Sequence, residues 1–255
     1  MRVYPRLLAI SQIIYNVYTL APIKSESLAC LPNPGRGPIP PSPWVGEDGH
    51  APLDLTSHLV GVCERCAAIG LLAVLSPLIA GSAAVLSLLS RRGPLIAHRR
   101  VGWRGRTLWM LKLRTMWDGE PGAFRWIEYM DDASGPTKKH PQDPRVAGRF
   151  ARFCRRHSID ELPQLWHVIR GEMALVGPRP VTASELECHY GTDADEMLQV
   201  RPGITGLWQV SGRNRLSYRE RRNLDLEFVR QRSVRMHLAI VLRTIPEMWT
   251  GANSW

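Results

Sequence analysis

The sequence predicts a mixed α/β domain that one long apolar helix attaches to a membrane. Residues 66–90 contain no charged side chain and are long enough to reach the core of a bilayer. From residue 93 onward, short alternating segments typical of strands are interspersed with segments of helical periodicity. A basic, amphipathic helical region near the end of the chain is a third feature, because such helices often lie in a membrane interface.

The composition favours a partner that is rich in phosphate groups. The 255 residues include 33 Lys and Arg against 23 Asp and Glu, which gives a formal net charge of +10. Such a surface suits nucleic acid, anionic lipid or a nucleotide-type substrate. The five cysteines lack the spacing of a disulfide framework, which argues against a disulfide-stapled secreted protein. Cys63 and Cys66 form a C-x-x-C pair, but a metal or redox role is disfavoured because no second pair answers them.

Residues 1–52 predict a flexible extension rich in proline and glycine. Its first residues place basic side chains before a mildly apolar run, as a signal peptide does. However, Ser11, Gln12 and Asn16 interrupt that run and no convincing cleavage site follows. A helical or poorly ordered extension is therefore favoured, followed by a linker, LPNPGRGPIPPSPWVGEDGHAP, in extended conformations.

Residues 53–92 predict the membrane helix. The alternative, a buried helix of a soluble protein, is disfavoured because such helices seldom stay uncharged over this length. Ser76-Pro77 lies inside the run, and we expect a kink there because proline removes a backbone donor and clashes with the carbonyl four residues back. Basic residues flank both ends of the run: Arg65, Arg91 and Arg92. The positive-inside rule then assigns no orientation to a simple span. A re-entrant helix, which bends at the kink and leaves by the face it entered, satisfies both observations.

Residues 93–255 predict the α/β domain. The segment TLWMLKLRTM alternates enough to be a strand, with Lys112 and Arg114 on the same side because their spacing is two. PQLWHVIRG predicts a short helix with Pro163 at its first position and Gly171 at its end. MALVGPRP predicts a short strand that stops at a proline-locked turn. Residues 217–249 predict amphipathic helix, whose apolar face could lie in a membrane interface or pack onto the domain core.

Two adjacent carboxylates, Asp160 and Glu161, form the first candidate site. They could merely cap a helix, since Ser158-x-x-Glu161 has the spacing of a capping box. Pro163 argues against capping, because a helix that began at Ile159 would need the amide proton that proline lacks. A helix that begins at Pro163 leaves both acids before its amino end, where they could complement the helix dipole or where a phosphate could bind.

Arginines near these acids indicate how a phosphate could be held. Arg155 and Arg156 lie just upstream, so a divalent cation and a phosphate could meet here. Arg179 stands between two prolines in GPRP, and their fixed φ angles pre-position its guanidinium for two hydrogen bonds to a phosphate. A surface arginine in a rigid turn is the alternative. RPGITGLWQVSGRN, with Arg213 and Asn214, has the composition of a binding loop but is a weak signal alone.

From about residue 58 to its end, the sequence resembles the bacterial sugar transferase family. These polyprenyl-phosphate hexose-1-phosphate transferases start exopolysaccharide or O-antigen repeat units. The resemblance rests on ordered motifs: RVGWRGRTLWMLKLRTM, DPRVAGRF, SIDELPQLWHVIRGEMALVGPRP and RPGITGLWQVSGRNRLSYRERRNLDLEFV. It implies a small mixed α/β catalytic domain on the cytoplasmic face of the inner membrane, a re-entrant helix broken at Ser76-Pro77 and amphipathic interfacial helices. Larger members carry more membrane helices and an extra domain before this unit, so the chain resembles a minimal form.

The resemblance also implies a mechanism. Asp160 would attack the β-phosphorus of a UDP-sugar, release UMP and pass the sugar phosphate to polyprenyl (undecaprenyl) phosphate. Glu161, with Asp160, would bind Mg²⁺. The implied phosphate-binding residues are Arg155, Arg156 and Arg179, with Lys112 and Arg114 as further helpers. Anionic lipids of the inner membrane are expected partners, nucleic acid is not, and a homodimer is left open. GLWQVSGRN resembles members that handle glucose or galactose.

Two positions depart from the family pattern: His167 stands where asparagine is usual, and His237 where aspartate is common. Two other functions could explain parts of the sequence. A membrane-anchored nucleic-acid-binding protein would explain the charge, but paired acids inside a basic block would repel phosphate unless a metal were present. An inactive scaffold of a polysaccharide assembly complex is disfavoured by the intact pair of acids with arginines around it.

Overall fold

The computed structural model describes residues 55–117, 124–131, 146, 148–212 and 215–250. The side chains of residues 55–57 and 249–250 are outside this description. The predicted extension, residues 1–52, and the loop residues Arg213 and Asn214 also lie outside the described residues, so the predictions made for them stay predictions.

Helix α1, Leu55–Ser90, is the long apolar helix that the sequence predicts. The part from His58 to Ser90 has a mean hydropathy of 2.2 and is long enough to cross a membrane, and only 11% of its most apolar window is buried inside the protein. This exposed apolar surface indicates association with a membrane. The helix continues through Pro77, and Ser76 Oγ donates to the carbonyl oxygen of Ala73 at 2.9 Å. The predicted bend at Ser76-Pro77 stays a prediction.

Both halves of α1 pack against the domain that follows it. Before Pro77, Ala68 contacts a cluster that includes Leu108 and Val168. After Pro77, Leu86 is fully buried in a second cluster with Leu113 and Cys154. The helix therefore lies along the domain instead of extending away from it.

Two small sheets form the β part of this mixed α/β domain. Strands β1 (Leu95–Val101), β2 (Thr107–Leu113) and β3 (Ile127–Met130) have the order β2-β1-β3, so β2 is an edge strand. β1 is antiparallel to β2 and parallel to β3. Strands β4 (Ala174–Val176) and β5 (Gly203–Thr205) form a parallel pair. The strands predicted in TLWMLKLRTM and MALVGPRP are thus confirmed.

Short helices connect these strands. They are α2 (Arg149–Arg156), a 3-10 helix (Ile159–Gln164), α3 (Leu165–Ile169), α4 (Ala183–Glu185), a π-helical turn (Leu186–Tyr190), a 3-10 turn (Gly191–Asp193), α5 (Ala194–Met197) and α6 (Leu207–Ser211). Another 3-10 turn, Trp103–Gly105, joins β1 to β2. Gly171 closes α3, as the sequence predicts, and its φ of 73° explains the need for glycine.

The final helical region is two helices, α7 (Tyr218–Gln231) and α8 (Val234–Thr250). They separate at Arg232, whose φ of −51° and ψ of 131° leave the helical range. α7 buries core side chains that include Leu224 and Phe228. α8 buries Ile240 but exposes a stripe of apolar side chains: Val234, Leu238, Val241, Leu242 and Ile245. Of the two alternatives for this region, packing on the domain core applies to α7. Helix α8 instead keeps an apolar face exposed. An interfacial location of α8 stays a prediction.

Candidate active site

The carboxylate pair lies in the 3-10 helix between α2 and α3. Asp160 is buried at 7% exposure, whereas Glu161 is half-buried. The predicted helix start at Pro163 is wrong, because the chain already turns as a 3-10 helix from Ile159 and the α-helix begins at Leu165. The 3-10 helix takes up the residues before Leu165, as 3-10 turns often do at the amino end of an α-helix.

Helix capping does not explain the acids. Ser158 has the left-handed conformation (φ 55°, ψ 23°), and its side chain makes no capping hydrogen bond. The bond that closes this turn runs between main-chain atoms, from the amide of Glu161 to the carbonyl oxygen of Ser158 at 3.1 Å. A capping box needs the serine hydroxyl as acceptor, so a capping box does not account for the carboxylates.

Glu161 meets two cations that come from distant parts of the chain. Lys112 Nζ on β2 lies 2.8 Å from Glu161 Oε1. Arg179 Nη1, on the turn after β4, lies 3.8 Å from the same oxygen. The lysine and glutamate side chains are 12% and 14% exposed, so little water screens this pair. The structure therefore joins three of the sequence-predicted site residues in one place.

The turn that carries Arg179 is held by a close approach of two backbone segments. Gly177 and Gly203 pack so tightly that a Cβ on either would overlap the backbone of the other. The amide of Gly203 donates to the carbonyl oxygen of Pro178 at 2.8 Å. The amide of Gly177 donates to the carbonyl oxygen of Thr205 at 2.9 Å. These contacts explain why the GPRP and RPGITG motifs both need glycine.

The positions of the other predicted phosphate-binding residues, Arg155, Arg156 and Arg114, differ from one another. Arg155 and Arg156 form the last turn of α2, just before the acid pair, and Arg155 is half-buried while Arg156 is exposed. Arg114 is 3% exposed and donates through Nε to the carbonyl oxygen of Gly93 at 2.8 Å and through Nη2 to Glu128 at 2.7 Å. Strand β2 ends at Leu113, so the alternation of side-chain direction along the strand does not extend to Arg114. Arg114 therefore contacts different partners from Lys112.

His167 connects the edge strand to the segment that carries the acids. Its Nε2 accepts from the amide of Leu111 at 3.2 Å, and its Nδ1 lies 2.6 Å from Glu172 Oε2. This geometry requires the neutral tautomer with the proton on Nδ1. Burial alone would raise the pKa of Glu172, but the hydrogen bonds from His167 and Arg170 outweigh it and lower that pKa. Leu111 precedes Lys112, so His167 fixes the strand at the residue next to the lysine that meets Glu161.

A buried pair that the sequence analysis did not single out lies behind Arg179. Tyr190 donates its hydroxyl proton to Asp225 Oδ2 at 2.6 Å, and Asp225 is 1% exposed. Burial raises the pKa of Asp225 to about 7, against the opposing effects of the Tyr190 hydrogen bond and the Arg179 and Arg221 charges. Within the described part of the chain, Asp225 Oδ1 is buried without a hydrogen-bond partner. The sequence signal was an aspartate between Leu224 and Leu226, two core positions of a helix.

The two histidines that depart from the family pattern differ in their surroundings. His167 is buried beside the site, whereas His237 is half-buried on α8, where its Nδ1 contacts the carbonyl oxygen of Ser233 at 2.9 Å. His237 also packs against Phe228, with ring centroids 5.3 Å apart. His237 therefore acts within the α7–α8 packing.

Asp160 and Glu161 have the chemistry that a magnesium ion requires. Mg²⁺ is commonly bound through one or two carboxylates together with substrate phosphates and water. Among the described residues there is no group of three or more His, Cys, Asp and Glu side chains that could hold a metal ion. The donor set therefore fits a cation that arrives with a phosphate-bearing substrate.

The sequence model of the family described as "Bacterial sugar transferase" matches residues 56–251. The chain is 40% identical over 183 residues to the UDP-galactose-lipid carrier transferase of Erwinia amylovora, covering 69% of this chain and 38% of that protein. It is 42% identical over 162 residues to the exopolysaccharide production protein ExoY of Sinorhizobium fredii, covering 62% of this chain and 71% of that protein. It is 35% identical over 202 residues to the UDP-glucose:undecaprenyl-phosphate glucose-1-phosphate transferase of Caulobacter vibrioides, covering 76% of this chain and 71% of that protein.

Proposed function

Because the chain belongs to the bacterial sugar transferase family, we propose that it transfers a hexose 1-phosphate from a UDP-sugar to polyprenyl phosphate. The observation that carries the proposal is the meeting of Glu161 with Lys112 and Arg179 beside the buried Asp160. A buried carboxylate next to paired cations suits a nucleophile that attacks a negatively charged phosphoryl group. The step would begin the repeat unit of an exopolysaccharide or O-antigen.

The first half of the reaction forms a covalent aspartyl phosphosugar. A carboxylate oxygen of Asp160 attacks the β-phosphorus of the UDP-sugar, and a new oxygen–phosphorus bond forms. The bond from that phosphorus to the bridging oxygen breaks, and UMP leaves with the electron pair. Lys112 and Arg179 hold positive charge near the phosphoryl oxygens, where negative charge increases in the transition state.

The second half regenerates the carboxylate. A phosphate oxygen of polyprenyl phosphate attacks the same phosphorus and forms a diphosphate bond. The bond from phosphorus to Asp160 breaks, and the aspartate leaves as a carboxylate with the electron pair. The product is a polyprenyl diphosphate sugar, and the enzyme is ready for a second UDP-sugar.

Asp160 and Glu161 would hold Mg²⁺, with Arg155 and Arg156 contributing further positive charge to the phosphates. When bound, the ion would neutralise charge on the phosphoryl oxygens and on the departing UMP. Glu161 would have a second task, which is to keep Lys112 and Arg179 in place before substrate arrives.

The membrane part of the proposal is a re-entrant α1 on the cytoplasmic face of the inner membrane. Packing on both sides of Pro77 supports it, because Ala68 and Leu86 contact the same domain. A straight span would separate one half of the helix from a domain that stays in the cytoplasm. The exposed stripe on α8 supports an interfacial position for that helix.

For the sugar, glucose and galactose are the leading candidates. The relatives from Erwinia amylovora and Caulobacter vibrioides have galactose and glucose, respectively, in the names of their donors. This supports a hexose donor without an acetamido group. Membranes that contain the chain should release UMP from one of these UDP-sugars, and a panel of donors would identify it.

The decisive experiment concerns Asp160. Wild-type protein given a UDP-sugar labelled in the sugar, without lipid acceptor, should become labelled on Asp160. Asp160→Asn should release no UMP, because an amide is a far poorer nucleophile than a carboxylate. Near-normal turnover by this variant would refute Asp160 as the nucleophile, whereas the absence of UMP release by wild type with every donor would favour the second candidate function, a basic membrane-bound scaffold.

A further inference from the structure

Three arginines from separate segments gather beside the amino end of the apolar part of α1. Arg65 lies just before the uncharged run of α1, Arg104 lies in the 3-10 turn between β1 and β2, and Arg201 immediately precedes β5. Arg65 is exposed, and the other two are half-buried. We refer to these three residues as the arginine cluster.

Glu64 brings the first arginine to the others. Its Oε1 accepts from the amides of Leu175 at 3.1 Å and Val176 at 3.2 Å, which fixes α1 against β4. Since β4 pairs with β5, Arg65 on α1 then lies near Arg201 at the start of β5. The position of a Cβ at Gly61, one turn before Arg65, is 3.8 Å from Arg201 Nη1.

Trp103 positions Arg104 next to Arg201 in the arginine cluster. Its Nε1 donates to the carbonyl oxygen of Gln199 at 3.1 Å, which seats the 3-10 turn on the segment that leads to Arg201. The guanidinium carbon of Arg104 lies 4.5 Å from the centre of the indole ring, and that of Arg201 lies 4.6 Å from it. Two guanidinium groups thus share one aromatic ring.

Around Arg201, the described residues place two further arginines and one carboxylate. Burial lowers the pKa of Arg201, and the charges of Arg65 and Arg104 lower it further, while the carboxylate of Glu64 acts in the opposite direction. That carboxylate already accepts from two backbone amides. Within the described ranges, Nε of Arg201 is buried and makes no hydrogen bond. A bound anion would satisfy a buried donor and offset the repulsion between the guanidinium groups.

We propose that Arg65, Arg104 and Arg201 bind the phosphate group of an anionic phospholipid. Arginine forks match phosphate oxygens, and the position of the cluster favours a lipid over a soluble anion. Immediately after Arg65, α1 exposes Ile69 and Leu71 at 55% and 45%. Such side chains need hydrocarbon around them, so in a membrane-associated α1 Arg65 would lie at the height of the lipid headgroups.

Arg65 of the cluster and Asp160 of the proposed reaction centre lie near opposite ends of α3. Arg65 contacts Gly171, where a Cβ would lie 2.5 Å from Arg65 Nη2. Gly171 follows the carboxyl end of α3, whereas Asp160 lies in the 3-10 helix before its amino end. Lipid binding at the cluster therefore anchors the domain and does not require turnover.

The test measures lipid retention by the full chain. Protein purified in a neutral maltoside detergent is titrated with phosphatidylglycerol or with phosphatidylcholine, and native mass spectrometry counts the bound lipid. The test variant carries Arg65→Gln and Arg104→Gln. The control is Arg219→Gln, which removes one exposed arginine from α7. Circular dichroism checks that each variant folds.

Wild type and the control should retain phosphatidylglycerol in preference to phosphatidylcholine. The double variant should bind phosphatidylglycerol more weakly by a factor on the order of thirty. Each arginine near an anionic membrane surface strengthens binding by about fivefold, and the two factors multiply. If the double variant does not fold, Arg65→Gln alone should still weaken binding by about fivefold.

Three results would overturn the proposal. In the first, the folded variants keep the wild-type affinity for phosphatidylglycerol. In the second, inorganic phosphate displaces the lipid from wild type at matched ionic strength, which would assign the cluster to a soluble phosphate. In the third, polyprenyl phosphate binding falls in the variants while phosphatidylglycerol binding does not, which would assign the cluster to the acceptor.

Discussion

Lys112 Nζ donates a 2.8 Å hydrogen bond to Glu161 Oε1, and this contact joins an edge strand to the turn that carries the acid pair. The pair holds a cation beside Asp160 before any substrate is present. If Lys112 stabilises the charge that develops on phosphoryl oxygens, Lys112→Met should lower kcat by about 10²- to 10³-fold. Lys112→Arg, which keeps the charge, should retain more activity than Lys112→Met. Equal activity of the two variants in a UMP-release assay would contradict this role.

A second prediction concerns the metal. A chelator should abolish UMP release, and added Mg²⁺ should restore it. Glu161→Gln should raise the Mg²⁺ concentration needed for half-maximal activity, because an amide oxygen is a weaker ligand for a hard cation than a carboxylate. Asp131→Asn is a matched control, since Asp131 is 54% exposed and pairs with Arg99 instead. Full activity in excess chelator would show that the reaction needs no divalent cation.

The third prediction concerns His167. Its Nε2 accepts from the amide of Leu111 at 3.2 Å, so loss of this acceptor should loosen β2 next to Lys112 and displace that lysine. Glu172, itself bonded to Arg170, is the charged group that faces the ring.

His167→Asn supplies an amide oxygen that can replace Nε2 as the acceptor for the Leu111 amide. It should therefore keep more activity in the UMP-release assay than His167→Ala does. His167→Ala should lower stability by about 1–3 kcal/mol, because it leaves the Leu111 amide buried and unpaired. Equal activity and stability of wild type and His167→Ala would contradict this role of His167.

A fourth prediction concerns Asp225, because burial raises the pKa of its carboxyl group to about 7 from an ordinary value of 3.8. Between these two values the native state keeps a proton that the unfolded state has lost. Stability should therefore fall as pH rises from about 4 to about 7, and this contribution should be absent in Asp225→Asn. Thermal unfolding in detergent across this range measures it.

Tyr190→Phe is the matched variant. It removes the hydroxyl that lowers the pKa of Asp225, so the interval of pH dependence should extend to higher pH. Identical pH dependence of unfolding in wild type and Asp225→Asn would show that Asp225 does not titrate in this range.

The fifth prediction concerns membrane topology. Cys154 is fully buried, and burial and the charge of Asp160 raise its pKa to about 11, so it is a poor reporter for a maleimide. Cys63 is exposed before the apolar run. One variant keeps only Cys63, and another lacks the natural cysteines but carries Arg219→Cys on the domain surface.

In spheroplasts treated with a membrane-impermeant maleimide, a re-entrant α1 should protect both thiols until lysis. A straight span would label Cys63 and protect the domain thiol. Pro77→Ala should shift Cys63 toward labelling and lower activity, since it removes the expected bend. Labelling of Cys63 before lysis in wild-type background would contradict the re-entrant topology.

Features that depend on neighbours in the chain were predictable from the sequence. The uncharged run specified α1, alternation specified β2, and Pro163 indicated that no α-helix begins at Ile159. Stiff prolines identified Arg179 for the same reason, because φ restrictions act on adjacent residues. The boundary between the 3-10 helix and α3 was missed, since the choice between these hydrogen-bond patterns depends on small differences in packing.

Contacts between distant segments were decided by packing in three dimensions. Nothing local indicated that Lys112 would meet Glu161 while Arg114 would turn to Gly93 and Glu128. The same holds for Tyr190 with Asp225 and for Arg65 with Arg201, which lie on elements that come together only when the sheets and helices bury their apolar faces. Burial then raises the pKa of Asp225 and leaves Nε of Arg201 without a hydrogen-bond partner in the described residues, because the surroundings that replace water are supplied by the whole fold.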